Sequence, residues 1–471
     1  MSRPAHANAP TASPVTSLRG WLDHLAEHGR LAVIRPGIGL RFDLAAIAKR
    51  LDGEKATFFP RPGGHPIPIV SGLLGARAWV ADAMGVESSE VLQRFSAAAA
   101  NPLPWRELAT APLQEVVHDV VDLGRQLPIP THNELDSGPY ISAGLMISRN
   151  PRTGVQNVAI HRCQLNGADE LGVLLLPRHT LAFYEAAEAA DEALEIAIVI
   201  GVDPLTALAS QAIAPIDQDE LEIAGALHGE PLEVVKCLSN EVRVPAGAEI
   251  VLEGRILPRR RAPEGPFGEF PQYYGERGER HVAKIDRVTH RRDAIFHTIV
   301  GGANEHLLLG AIPREATLLG HLRRTFPGVL DVHLSMGGVG RYVLYVKFRK
   351  RQEGEAKNVI MGAFAGHYDV KQVVVVDPDV DIHNPREVEW AVATRAQPDR
   401  DLVVVARSQG SRLDPSTDNG VGAKMGIDAT VPLAAPAGKF TRIRVPGEED
   451  VDLAAVIDAA AGGDWRGRRG S

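Results

Sequence analysis

Only two of the 471 residues are cysteines, Cys163 and Cys237, too few for a disulfide framework or a cysteine-only metal site, so a reducing compartment is expected. No apolar run is long enough to cross a bilayer. The opening stretch Met1–Ser17 is rich in Ala, Pro, Ser and Thr but lacks the apolar core of a secretory signal, which points to a cytoplasmic address. Positive charge is not in excess either: 51 Lys and Arg against 59 Asp and Glu leave a formal charge of −8, which argues against a protein held to nucleic acid by a basic surface. Several common catalytic signatures are missing. There is no phosphate-binding loop of the Walker type, no HExxH and no GxSxG, and Gly337-Gly338-Val339-Gly340 precedes a strand-like run where a dinucleotide fingerprint needs a helix.

Hydrophobic residues make up 44% of the chain and charged residues 23%, the balance of a globular protein with enough apolar material for at least two cores. With 46 Gly and 33 Pro beside 5% aromatics, many turns and short elements are expected. Ser17 ahead of Leu18, Trp21, Leu22 and Leu25 predicts a capped amphipathic helix, and Pro66–Val70 reads as a strand. From about residue 140 to 310, strand-like runs crowd together at Gly144–Ser148, Val155–Ile160, Ile196–Val202, Glu249–Glu253, Ala283–Val288 and Ile295–Val300, predicting an antiparallel barrel or sandwich. Beyond it the pattern is α/β again: strands at Arg341–Phe348, Gln372–Val376 and Leu402–Ala406, and a helix start at Asn384-Pro385-Arg386-Glu387. The expected organisation is a disordered tail (1–17), an N-terminal α/β domain (18–125), a β-rich central domain (126–310), a C-terminal α/β domain (311–450) and a loose tail (451–471).

The most informative string is Pro263-Glu264-Gly265-Pro266-Phe267-Gly268-Glu269, in which two prolines and two glycines hold two carboxylates five positions apart. Such a string is a plain polar turn unless a cation lies nearby to pair with one acid while the other moves a proton. Asn157-Val158-Ala159-Ile160-His161-Arg162 offers that cation; strand alternation would put Asn157, Ala159 and His161 on one face and Val158, Ile160 and Arg162 on the other.

These two strings, with Pro177-Arg178-His179, the run Glu220–Cys237, Ile129-Pro130-Thr131-His132-Asn133-Glu134 and Lys424-Met425-Gly426-Ile427-Asp428-Ala429-Thr430, resemble the UbiD-like decarboxylases in order and spacing over nearly the whole chain. The resemblance implies a central split β-barrel of flavin-reductase type that binds prenylated FMN, supplied by a flavin prenyltransferase, and a C-terminal domain through which homodimers or larger homo-oligomers form. It implies a Glu-Arg-Glu catalytic network of Arg162, Glu264 and Glu269. Asn157, His179 and Glu220 would be ligands of a manganese or magnesium ion, with Glu222 the other acid of that run and potassium an additional ion. Asn157, Ala159, Ile160, His161, Arg162, Arg178, His179 and Lys424 would surround the cofactor.

Glu305-His306-Leu307-Leu308-Leu309-Gly310-Ala311-Ile312-Pro313-Arg314, together with Arg341, is similar to the HmfF-like subgroup that decarboxylates furan-2,5-dicarboxylate. His306, Arg314 and Arg341 would then hold the carboxylate that stays, since a second charge in an apolar pocket needs cationic partners. Interdomain ion pairing is the alternative for the arginines, and a monocarboxylic pyrrole, furan or indole the alternative substrate. A flavin carrier without chemistry has no use for the paired acids. A metal-dependent hydrolase would need a general base that no motif supplies. His297, Phe326 and Met336 read as core, and Arg407 as part of a backbone turn.

Overall fold

The computed structural model describes residues 13–457. Most of the two expected tails, residues 1–12 and 458–471, lies outside the described residues. Val15 N–H donates to the Ala83 carbonyl and Ser17 Oγ accepts from Gly20 N–H, so the chain joins the fold just before the first helix, Leu18–Glu27. Its Leu18, Trp21, Leu22 and Leu25 are buried, as their spacing predicts.

A four-stranded sheet forms the N-terminal layer, in the order Leu31–Val33, Ala56–Phe59, Ile69–Ser71 and Phe296–His297. Two expectations are corrected here. The strand read at Pro66–Val70 begins only at Ile69, because Pro66 and Pro68 lack the N–H a ladder needs. The run Ile295–Val300 supplies a two-residue strand that leaves the central region to pair in parallel with Ile69–Ser71.

The central sheet has nine strands, all antiparallel, and curls into a half-barrel whose end strands Tyr140–Ile141 and Gln156–Ile160 do not pair with each other. Its spine is the pair Ile250–Glu264 and Gly278–His290, with register shifts at Glu253/Gly254 and Ile256/Arg261 that bend both strands. Strand Leu194–Ile200 shows how the sheet divides the interior. Ala197 and Val199 pack into the core shared with the helices Pro204–Ala209 and Glu220–His228, while Leu194, Ile196, Ile198 and Ile200 pack into a second core with Phe183 and Tyr184 of helix His179–Ala189. From Ile196 to Ile200 both faces are buried, so this part of the strand reads as a continuous apolar run.

The C-terminal sheet runs Val329–Leu334, Val343–Phe348, Gln372–Val376, Val421–Ala429, Leu402–Gln409. In Gln372–Val376, Val373 and Val375 face the core built by helix Glu355–Gly366, whereas Val374 and Val376 face helix Pro385–Arg395, capped by Asn384 as expected. Helix Asn304–Thr325 packs against Val91–Ala100 of the N-terminal layer and against strand Val329–Leu334. It runs through residue 310, where the sequence pattern suggests a boundary; Leu307 to Pro313 are all buried, which hides the helical period. Phe326 and Met336 pack against the core, and His297 is buried against Glu305 Oε1 at 3.0 Å. Beyond Thr430 a separate unit begins; its described part holds the helical turn Leu453–Val456, capped by Asp452. Among the described residues no helix is long and apolar enough to cross a membrane.

Candidate active site

Strand Gln156–Ile160 pairs with Leu145–Arg149 up to Ile160, and the chain then changes partner, Cys163 pairing with Ile141 and Val173. His161 and Arg162 lie in the two-residue link. The face alternation read through Arg162 therefore stops at Ile160, and residues 157–162 all line one cavity of about 280 Å³, near the lower end for ligand pockets.

Glu264 ends the long strand Ile250–Glu264, opposite Gly278, and Glu269 follows at the turn of the small hairpin Phe267–Gly268/Tyr274–Gly275. The structure brings both to Arg162. Its Nη2 donates to Glu264 Oε2 at 2.8 Å and its Nη1 to Glu269 Oε1. Glu264 is fully buried and its other oxygen accepts from Tyr140 Oη at 3.0 Å. The Arg162 guanidinium lies 5.4 Å from the Phe267 ring centroid. Gly275 leaves room for it, since a Cβ there would stand 2.7 Å from Nη1. Burial raises the Glu269 pKa against the pull of Arg162. Burial opposes the Arg162 charge too, but Glu269 and Glu264 outweigh it and raise its pKa. The result is a fixed cation between two acids, one of them inclined to hold a proton.

On the same wall His179 Nδ1 lies 3.1 Å from Asn157 Oδ1, while Glu220 Oε2 accepts from Val158 N–H at 2.7 Å. Burial lifts the Glu220 carboxyl to about 8, and it forms no ion pair among the described residues. A buried acid beside an amide oxygen and an imidazole, with no thiolate, fits a hard or borderline divalent ion. Among the described residues no cluster of three or more His, Cys, Asp or Glu is placed to hold a metal. Helix His179–Ala189 begins here without a side-chain cap, and such an N-terminus suits a phosphate. His161, pushed down to about 4 by burial, is neutral, with Nε2 3.2 Å from Thr180 Oγ1. Arg178 lines the cavity and donates to Tyr368 Oη at 3.3 Å.

His306, Arg314 and Arg341 line the same cavity. Arg314 Nη1 donates to the Gly310 carbonyl at 2.6 Å, and Arg341 sits 4.0 Å above the Phe270 ring. Neither arginine has a carboxylate within salt-bridge distance among the described residues, and the Nε of each is buried without a hydrogen-bond partner there. Burial and then Arg341 push Arg314 down to about 9; burial, Arg341 and Arg314 push His306 to about 3. Two cations without a salt-bridge partner among the described residues face one space; Asp369 acts on both through its charge, and Glu269 on Arg341, but burial prevails and lowers both pKa values. Lys424 is the exception among the expected residues: it does not line the cavity, and its Nζ donates to the Tyr368 and Val370 carbonyls at 2.7 and 2.5 Å. Sequence reasoning missed Tyr140, Phe270 and Gly275. Phe270 adjoins Glu269 and could have been flagged by position; Tyr140 has no local signal.

Comparison with known proteins gives the family. Three family models match in succession: the 3-octaprenyl-4-hydroxybenzoate carboxy-lyase N-terminal domain over residues 22–99, its Rift-related domain over 106–304 and its C-terminal domain over 307–429. Anhydromevalonate phosphate decarboxylase of Methanothermobacter thermautotrophicus is 38% identical over 90% of this chain and 99% of its own. The UbiD-class enzyme HmfF of Pelotomaculum thermopropionicum, solved with FMN, is 49% identical with a TM-score of 0.92, covering 94% of this chain and 100% of that one. An evolved dimeric form of it, solved with prFMN, is 47% identical with a TM-score of 0.88 over the same shares. The chain belongs to the UbiD family of decarboxylases and is HmfF-like within it.

Proposed function

We propose that this protein catalyses the reversible, non-oxidative decarboxylation of a heteroaromatic acid, with furan-2,5-dicarboxylate as substrate and 2-furoate as product, and binds prenylated FMN in the cavity. One observation carries the choice of a diacid: the Arg162–Glu264–Glu269 network shares its cavity with Arg314 and Arg341, two cations with no carboxylate of the described residues within salt-bridge distance. When bound, prenylated FMN supplies the sink for the electron pair left on carbon as CO2 departs. The chain's own groups do the rest. Arg162 holds the departing carboxylate through its planar fork, and Glu264, fixed by Tyr140, sets the plane of that fork. Glu269 delivers the proton that replaces CO2, so a ring carboxylate and a proton become a ring C–H and CO2. His306, Arg314 and Arg341 hold the carboxylate that stays.

Asn157, His179 and Glu220 would hold a manganese or magnesium ion against the cofactor phosphate, with the start of helix His179–Ala189 completing the anion site and potassium as an additional ion. A flavin prenyltransferase supplies the cofactor. The half-barrel corresponds to the flavin-reductase type of split barrel, and the cytoplasm is the proposed location. A homo-oligomer is proposed as well: the edge strand Leu402–Gln409 exposes Leu402, Val404 and Val405, with Val404 at 63%, an apolar row that a second copy would cover.

A second reading follows from the relative named anhydromevalonate phosphate decarboxylase, because an arginine pair takes a phosphate as readily as a carboxylate. The test is co-expression with a flavin prenyltransferase, followed by the absorption spectrum and CO2 release from a panel of acids. Altered flavin absorbance with CO2 from the furan diacid is expected. CO2 from a phosphorylated acid alone would favour the second reading, CO2 from monoacids alone a monocarboxylic substrate, and plain FMN with no CO2 a carrier.

A further inference from the structure

The string Ile129-Pro130-Thr131-His132-Asn133-Glu134 matches the family but takes no part in the chemistry above. The structure shows where it leads. His132 is 5% exposed, its Nε2 lies 2.9 Å from Thr298 Oγ1, and its Nδ1 has no hydrogen-bond partner among the described residues. Thr298, fully buried, lies 3.0 Å from Ser142 Oγ, which also accepts from Ile299 N–H at 3.0 Å. Ser142 lines the cavity; His132 and Thr298 do not. The chain of contacts therefore starts in the interior and ends at the cavity wall.

Its direction follows from counting protons. Burial pushes His132 down to about 4, so the ring is neutral and carries one N–H. A proton on Nδ1 would be a buried donor with nothing to receive it, which is rarer and costlier than a buried lone pair. The proton belongs on Nε2 and is donated to Thr298 Oγ1. The Thr298 hydroxyl then donates to Ser142 Oγ, whose two lone pairs are taken by Thr298 and Ile299. What Ser142 has left is its own O–H. We infer that His132, Thr298 and Ser142 form a one-way hydrogen-bond chain that makes Ser142 an obligatory donor to an acceptor atom, a ring nitrogen or carbonyl oxygen, on the flavin in the cavity. The inference rests on the reading that flavin occupies this cavity. Ser142 is the contact residue, and Thr298 and His132 are positioning residues that act through it.

FMN titrated into the apoprotein, followed by quenching of flavin fluorescence, tests it without reference to turnover. Ser142→Ala should weaken FMN by roughly 3–10-fold, the worth of one ordinary hydrogen bond. Thr298→Val should weaken it comparably, Thr298→Ser should restore wild-type binding, and the double variant S142A/T298V should bind no worse than S142A. Thr298→Val binding like the wild type, or a loss that adds to that of S142A, overturns the chain. Nitrogen chemical shifts of 15N-histidine-labelled wild-type protein check the tautomer even if a variant fails to fold: a proton on Nε2 of His132 is expected, and one on Nδ1 overturns the direction. Failure of wild-type protein to bind FMN would instead overturn the cofactor reading on which the inference stands.

Discussion

Replacing Arg314 by Met should make the ligand-free protein more stable and the diacid a worse ligand. The side chain keeps its aliphatic packing and loses a cation that has no carboxylate partner among the described residues. Burial and Arg341 lower the Arg314 pKa from its ordinary value to about 9, still cationic at neutral pH. Held charged there, the group costs the fold at most roughly 5 kcal/mol; the residue is half-buried, and screening brings this to about 1–3 kcal/mol. The sign is that of a base whose folded pKa is depressed: the penalty applies wherever the folded protein keeps the charge, and deleting the charge removes it. A bound carboxylate recovers that cost through a charge-assisted hydrogen bond worth about 1.5–3 kcal/mol, or roughly 10–150-fold in affinity. The assay is thermal unfolding with and without ligand, plus calorimetric binding of furan-2,5-dicarboxylate and 2-furoate. R314M should melt higher than wild type alone and lose the extra stabilisation that the diacid gives. Equal weakening of both acids, or a lower melting point without ligand, would refute the assignment of Arg314 to a second carboxylate.

Glu269→Gln should abolish turnover and solvent-hydrogen exchange at the product carbon while leaving flavin bound, and a variant that still exchanges would remove Glu269 as proton donor. For wild type, kcat should fall as pH rises past the elevated Glu269 pKa, because the acid is then ionised; a rate flat across that range argues against it. Gly275→Ala places a Cβ 2.7 Å from Arg162 Nη1, so kcat should drop about 10²-fold through guanidinium misplacement, with the melting point little changed. Dialysis against a chelator should weaken FMN retention and manganese should restore it, whereas Glu220→Gln should abolish that restoration; manganese-independent retention would sink the proposed ligand set.

How much of this was legible depended on whether the signal was local. The capped helices at Ser17 and Asn384 and most central strands follow from spacing within a few residues. Arg162, Glu264 and Glu269 were singled out as a matched set of strings, because no periodicity relates residues 102 positions apart. The alternation read through Arg162 failed because the strand changes partner after Ile160, a tertiary event. Ile295–Val300 was assigned to the wrong sheet because a strand's partner is not written in its own residues. Lys424 was carried with its neighbours, yet its ammonium is spent on two carbonyls away from the cavity. Arg407, read as a turn residue, lies in left-handed backbone at φ +50° where the edge strand shifts register.

The spine of the half-barrel sets a timetable for synthesis. Glu264 takes its place only when Ile250–Glu264 zips onto Gly278–His290, and Arg162, made a hundred residues earlier, waits for it. At ribosomal speeds of about 5–20 residues per second that wait lasts several seconds. During it the nascent chain presents an arginine and half of the cavity wall, but no closed chamber. The chamber is therefore closed only after the second spine strand has been made, so its completion is a late event of synthesis.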